Sequence, residues 1–204
     1  MLVLHYTGMK SCDAALERLC DPAAEVSAHY LIDEAGDVFA LVDESQRAWH
    51  AGVAMWRGQS NINSRSVGIE LVNPGHEYGY RDFPEAQMTA LIPLCQGILA
   101  RHAIPARNVV GHSDVAPVRK ADPGERFDWP RLAAAGIGLW PLPDDRQAVL
   151  DDAAIGAALG TIGYDIADME AAISAFQRHF RPSLVDGQAD PETRRSIAAV
   201  LSLI

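Results

Sequence analysis

The sequence predicts an α/β fold, a central mixed β-sheet flanked by helices, followed by a small all-α three-helix domain. Three observations carry this. Short, partly β-branched apolar runs alternate with helix-periodic stretches up to about residue 130. The Gly/Pro-punctuated segment Gly136-Ile137-Gly138-Leu139-Trp140-Pro141-Leu142-Pro143 then interrupts the pattern, and everything after it has helical spacing. The boundary is expected near residue 143, giving domains over 1–143 and 144–204.

Leu2-Val3-Leu4-His5-Tyr6-Thr7, ended by Gly8, reads as a buried strand. Ser11 to Leu19 is rich in helix formers, with Ser11 or Asp13 as N-cap and Asp21-Pro22 as the stop. His29–Ile32 and Val38–Val42, separated by Asp33-Glu34-Ala35-Gly36-Asp37, give a hairpin. Residues 51–63 lack periodicity. Ser66–Val72 is a further strand, closed by Asn73-Pro74-Gly75, with Glu70 standing in an otherwise apolar segment. From Pro84 to His102 the residues Met88, Leu91, Ile92, Cys95 and Leu99 follow helical spacing, with a kink expected at Pro93. Asn108-Val109-Val110-Gly111 then leads into His112.

In the tail, Val149–Ile162 is read as the first helix. Met169, Ile173, Phe176 and Phe180 share one face of the second. Asp190-Pro191-Glu192 supplies an N-cap, a proline at the first helical position and a first-turn acid for the third, whose stripe is Ile197, Val200, Leu201 and Ile204. A unit this small has marginal stability alone and is expected to lean on the first domain.

The 204 residues are 49% hydrophobic and 22% charged, an ordinary globular balance. With 17 basic against 27 acidic side chains the net charge is −10, so the chain offers no general positive field, and a nucleic-acid partner is not expected. No apolar run reaches membrane-spanning length, and Met1–His5 has none of the character of a secretory signal. Cys12, Cys20 and Cys95 are an odd set. If helical, Cys12 and Cys20 lie about 12 Å apart, beyond disulfide reach. Reduced thiols and a cytoplasmic location are therefore the expectation, with a periplasmic or outer-membrane location as the alternative if native sequence precedes Met1.

His5 at the first strand, His112 after a strand and a glycine, and Asp122 ten residues later could fill three corners of a zinc tetrahedron and leave the fourth for water. His112-Ser113-Asp114 also fits half of an iron(II) facial triad, but only His179 follows as a candidate third ligand. Context separates the two. Gly111-His112-Ser113-Asp114-Val115-Ala116-Pro117-Val118-Arg119-Lys120-Ala121-Asp122-Pro123-Gly124, with Phe127-Asp128-Trp129 following, closely resembles the signature of the zinc-dependent N-acetylmuramoyl-L-alanine amidases, a family related to the peptidoglycan recognition proteins. Four more segments resemble it in the right order: Leu4–Thr7, Val26–Ile32, Arg47-Ala48-Trp49-His50-Ala51-Gly52, and Ser66–Leu71.

The resemblance implies one Zn²⁺ per chain on His5, His112 and Asp122, with Glu70 as general base and Lys120 as oxyanion stabiliser. Phage-type relatives carry a tyrosine before the histidine of the second block and no glutamate in the Gly-Ile-Glu position. Here Ala28 and Glu70 occupy those sites, so the base role goes to Glu70. Tyr30 is expected on the same side of its strand as Ala28, lining the cleft; His29 and His50 match family positions and are read primarily as scaffold or cleft-wall residues, with His50 as a second candidate substrate contact. Asp114 is read either as outer support for a ligating histidine or as a loop cap. Ala175–Phe180 and Val185–Thr193 resemble a helical peptidoglycan-binding module, whose plain alternative is a packing appendix.

The implied reaction is hydrolysis of the amide between N-acetylmuramic acid and the L-alanine of the stem peptide. Recycled anhydro-muropeptides are the expected substrates. An envelope amidase acting on sacculus, and a non-catalytic peptidoglycan recognition protein, are the alternatives.

Overall fold

The computed structural model describes residues 1–142 and 149–204. The expected boundary at residue 143 lies outside the described residues; among the described residues, sheet and helices precede it and helices alone follow.

The sheet contains β1 (Leu2–Tyr6), β2 (Tyr30–Ile32), β3 (Val38–Ala40), β4 (Val67–Leu71) and β5 (Val109–Gly111), in the order β3-β2-β4-β1-β5. β2, β4, β1 and β5 run parallel, while β3 pairs antiparallel with β2 as the hairpin requires. Between the strands lie α1 (Cys12–Cys20), α2 (Gly75–Tyr78) and α3 (Glu85–His102), and α4 (His112–Val115) and α5 (Trp129–Ala134) follow β5. Ser11 caps α1 as expected, its hydroxyl accepting from the Ala14 amide. α3 continues through Pro93 as one helix from Glu85 to His102.

Residues in register across the sheet project to the same face, and alternate residues project to opposite faces. Leu2, Leu4, Ile69 and Leu71 therefore share one face, where they are buried in a cluster with Met88, Leu91 and Ile98 of α3 and with Phe127, Trp129 and Leu132. Val3, His5, Glu70 and Leu31 share the other. On that second face Leu31 packs with Ala15 of α1, and Val3 and Val110 join a cluster built mainly from the tail.

The tail holds α6 (Asp152–Ile162), α7 (Met169–Phe180) and α8 (Pro191–Leu201), each opened by an aspartate whose side chain accepts from a first-turn amide. Of the stripes expected from spacing, Ile173, Phe176, Phe180, Ile197 and Val200 are buried, whereas Met169 is exposed at the start of α7 and Ile204 is exposed beyond the end of α8 at Leu201. Phe176, Leu159 and Ile197 are buried together with Val3, Trp56, Ile62 and Val115, so the tail leans on the sheet domain as its size suggests.

Candidate active site

The parallel strands β1, β4 and β5 all end on one side of the sheet, and their carboxyl ends deliver His5, Glu70 and His112 to one place. This is where open α/β sheets hold ligands, because the loops that follow the strands diverge there and leave a crevice. The pairing of His5 with Glu70 sets those two side by side. His112 begins α4 immediately after β5, and Asp122 is brought back to it by the Ser113 amide, which donates to the Asp122 carbonyl at 2.8 Å.

His5 Nδ1, His112 Nδ1 and Asp122 Oδ2 form a triangle with every edge 3.0 Å. All three residues are buried. The triangle is meaningful only if no proton sits inside it, and the surrounding hydrogen bonds decide that. Ser66 donates its hydroxyl to the Ile62 carbonyl at 2.7 Å, so its oxygen can only accept from His50 Nε2–H, 3.2 Å away. His50 Nδ1 is then a bare acceptor, and His5 Nε2–H donates to it at 2.9 Å. His5 is left with a lone pair on Nδ1. His112 reaches the same state more directly, since its Nε2–H donates to the Ala51 carbonyl at 3.0 Å.

Two imidazole lone pairs and a carboxylate oxygen thus converge with no hydrogen between the two nitrogens. Such a set suits a cation: tetrahedral zinc ligands at about 2.0 Å from the metal stand about 3.3 Å from one another. The charges agree. Burial, with the neighbouring His112, pushes the His5 imidazole down to about 4, so it is neutral at ordinary pH.

Glu70 is the opposite case. Burial, with Asp122 adding repulsion and Lys120 opposing it, holds its carboxyl well above the ordinary range, and its Oε2 is buried with no hydrogen-bond partner among the described residues. An acid kept this way, in reach of a cation site, is suited to moving a proton near neutral pH. Lys120 is exposed and lines the same cavity of about 470 Å³, together with Tyr6, Trp49, His76 and Glu77.

One expected substrate contact turns out differently. Tyr30 does not line this cavity: it is in register with Ile69, not Glu70, so it faces the α3 side, and its hydroxyl donates to Glu44 at 2.6 Å. The residue of β2 on the site's face is Leu31. His50 does reach the cavity wall but is only 8% exposed, and both its ring nitrogens are engaged in holding His5. His29, too, is scaffold, accepting the Gly68 amide on Nδ1 at 2.9 Å. The closeness of His50 to the sheet explains Gly68, since a Cβ there would lie 2.5 Å from the imidazole.

Sequence reasoning missed Asn63 and Ser66. Asn63 accepts the amides of both His50 and Ala51, fixing the carbonyl that orients His112. Ser66 stands at the head of the orienting chain, and its only sequence signal is its place beside the Val-Gly-Ile-Glu strand. Ser66→Ala should weaken zinc binding by about tenfold, the low end for an outer partner of a ligand, with the fold intact. Competition with a chelator reads the affinity, and an unchanged value would show that His5 keeps its tautomer without this chain.

The model of the N-acetylmuramoyl-L-alanine amidase family matches residues 1–125, and that of a peptidoglycan binding domain matches residues 154–197. N-acetylmuramoyl-L-alanine amidase AmiD of Escherichia coli is 39% identical over 231 aligned residues, covering 98% of this chain and 82% of that protein. Its solved complex with anhydro-N-acetylmuramic acid-L-Ala-D-gamma-Glu-L-Lys superposes with a TM-score of 0.90, at 38% identity, covering 100% of this chain and 88% of that one. AmpDh3 of Pseudomonas aeruginosa, solved with an anhydromuramic pentapeptide, gives a TM-score of 0.87 at 36% identity, covering 98% of this chain and 89% of that one. The 1,6-anhydro-N-acetylmuramyl-L-alanine amidase AmpD of Enterobacter cloacae matches a shorter stretch, 41% identical over 109 residues, 53% of this chain and 56% of that protein. Strand register, ligand triangle and these likenesses agree: the chain belongs to the N-acetylmuramoyl-L-alanine amidase family.

Proposed function

We propose that this amidase is zinc-dependent, that His5, His112 and Asp122 hold the ion, and that its substrates are soluble anhydro-muropeptides. The observation that carries the metal reading is the proton-free triangle of two imidazole nitrogens and one carboxylate oxygen, each 3.0 Å from the next. Zinc held there supplies Lewis acidity for the amide carbonyl and lowers the pKa of a water to about 7.

The rest falls to side chains. Glu70 accepts the proton of the attacking water on its carboxylate as the new C–O bond forms at the carbonyl carbon. It returns that proton to the alanine nitrogen as the C–N bond breaks, releasing the stem peptide as an amine. Lys120 faces the carbonyl oxygen with its ammonium group and offsets the charge that collects there in the tetrahedral state. Trp49, 53% exposed on the cavity wall under the Arg47 guanidinium, offers a flat apolar surface to substrate.

The substrate reading is supported by the two solved relatives that hold anhydromuramyl peptides. Its test is product analysis on anhydro-muropeptides beside intact peptidoglycan. The expected products are a free stem peptide beginning with L-alanine and its sugar, formed faster from the soluble substrate. Faster release from the sacculus would favour an envelope amidase, and no release from either would leave a recognition protein.

For location we keep the cytoplasm, a reading supported by three free thiols at Cys12, Cys20 and Cys95. A second reading, the cell envelope, is favoured by the peptidoglycan binding segment over residues 154–197. Fractionation with determination of the native N-terminus decides between them.

A further inference from the structure

Asp114 lies in α4, two residues after His112, and is completely buried. Its carboxylate does not touch a zinc ligand. Oδ2 accepts the Gly111 amide at 2.7 Å, closing the turn from β5 into α4. The other two donors come from the tail: the Tyr164 hydroxyl to Oδ1 at 2.7 Å, and His179 Nδ1–H to Oδ2 at 2.7 Å. Tyr164 and His179 are 50 and 65 residues away in sequence, and both are buried.

Each donor is itself held by rings of the catalytic unit. His179 stacks on Trp129 with 3.7 Å between centroids and 17° between planes. Tyr164 meets Trp56 edge to face at 5.1 Å. A buried carboxylate is stable only when its oxygens are supplied with donors, so these two side chains are what allows an aspartate in this turn. The turn it braces is short and fully buried. Between Gly111 and Val115 it must present His112 Nδ1 to the metal and the Ser113 amide to the Asp122 carbonyl at once.

We propose that the helical tail is a positioning element of the metal centre: through Tyr164, His179 and Asp114 it fixes the turn that carries His112. This rests on the zinc reading above, and it makes the tail more than a packing appendix or a wall-binding attachment. Asp114, Tyr164 and His179 are positioning residues; none of them faces the cavity that holds the reacting groups.

The test measures the zinc dissociation constant of the full chain by chelator competition, well below each variant's own melting temperature. Tyr164→Phe and His179→Phe each delete one donor and keep an aromatic ring in place. Asp114→Asn keeps the shape and removes the charge. Thr193→Val serves as the control, since it removes partners of Gln177 and Arg181 inside the tail and leaves Asp114 untouched.

The expected result is zinc binding weakened about tenfold or more in the first three, the range of an outer partner, with kcat/KM falling in proportion under limiting zinc. Thr193→Val should lower the melting temperature and keep the wild-type dissociation constant. If Tyr164→Phe, His179→Phe and Asp114→Asn lose only melting temperature, as the control does, the tail is packing and the proposal is overturned. If wild-type protein itself binds no zinc, the metal reading fails, an outcome distinct from loss of the coupling. Should one ring variant not fold, the other and Asp114→Asn still decide the matter.

Discussion

Asp122→Ala should leave a folded protein that retains no zinc after dialysis and no measurable amidase activity. Of the three proposed ligands, Asp122 brings the only negative charge, and it stands 3.0 Å from both imidazole nitrogens. Without it a doubly charged ion would face two neutral histidines in a buried pocket, with the compensating charge gone. The loss should exceed the roughly 10–100-fold that follows removal of an outer partner. Burial of His5 and His112 depends on β1 and α4 rather than on the carboxylate, so the fold should survive. His5→Ala and His112→Ala should behave alike. Metal analysis beside a muropeptide release assay checks all three, and full zinc content in any one would remove that residue from the ligand set.

Glu70→Gln should keep zinc and lower kcat by about 10² to 10⁴-fold, the usual worth of a positioned general base. The amide matches the carboxylate in shape but cannot take a proton from water. In metal-free protein the same change should raise stability, increasingly as pH rises. The sign follows from linkage: the folded protein holds the Glu70 proton more tightly than the unfolded chain, whose value is about 4.5. Wild-type stability from this group is complete below that pH and is lost as pH climbs from there through the raised folded value. Glutamine does not titrate, so the gap between variant and wild type should widen from pH 4 to pH 7 in thermal melts. A loss of rate under tenfold would assign the proton to another group.

Much of this site was legible because its residues sit in short apolar blocks whose order is read directly from the chain. His5 and Glu70 stand out as polar groups in strands that are otherwise apolar, and the 111–124 block carries the remaining ligands and Lys120. What the strands do not declare is register. Counting in twos from Ala28 holds only along one strand, whereas β2 begins at Tyr30, and the pairing of Tyr30 with Ile69 decides the face on which Tyr30 lies. His50 is legible as a scaffold or cleft-wall residue, but the partner it supports is not. Its role depends on Ser66 and the Ile62 carbonyl, contacts made through loop geometry without any periodic pattern. The helices of the tail were plain from their caps and stripes, while their docking was not: the Asp114 contacts join residues 50 and 65 positions apart.

The common core of sheet and tail limits how such a protein can change by recombination. Val3, Trp56, Ile62 and Val115 share their burial with Leu159, Phe176 and Ile197. A foreign helical module spliced on at the connector would have to match that apolar face, and also offer a hydroxyl and an imidazole where Tyr164 and His179 meet Asp114. The two segments, each matched by its own family model, are therefore physically a matched pair, and a catalytic half cut from this chain would leave an apolar face and a buried carboxylate to be covered anew.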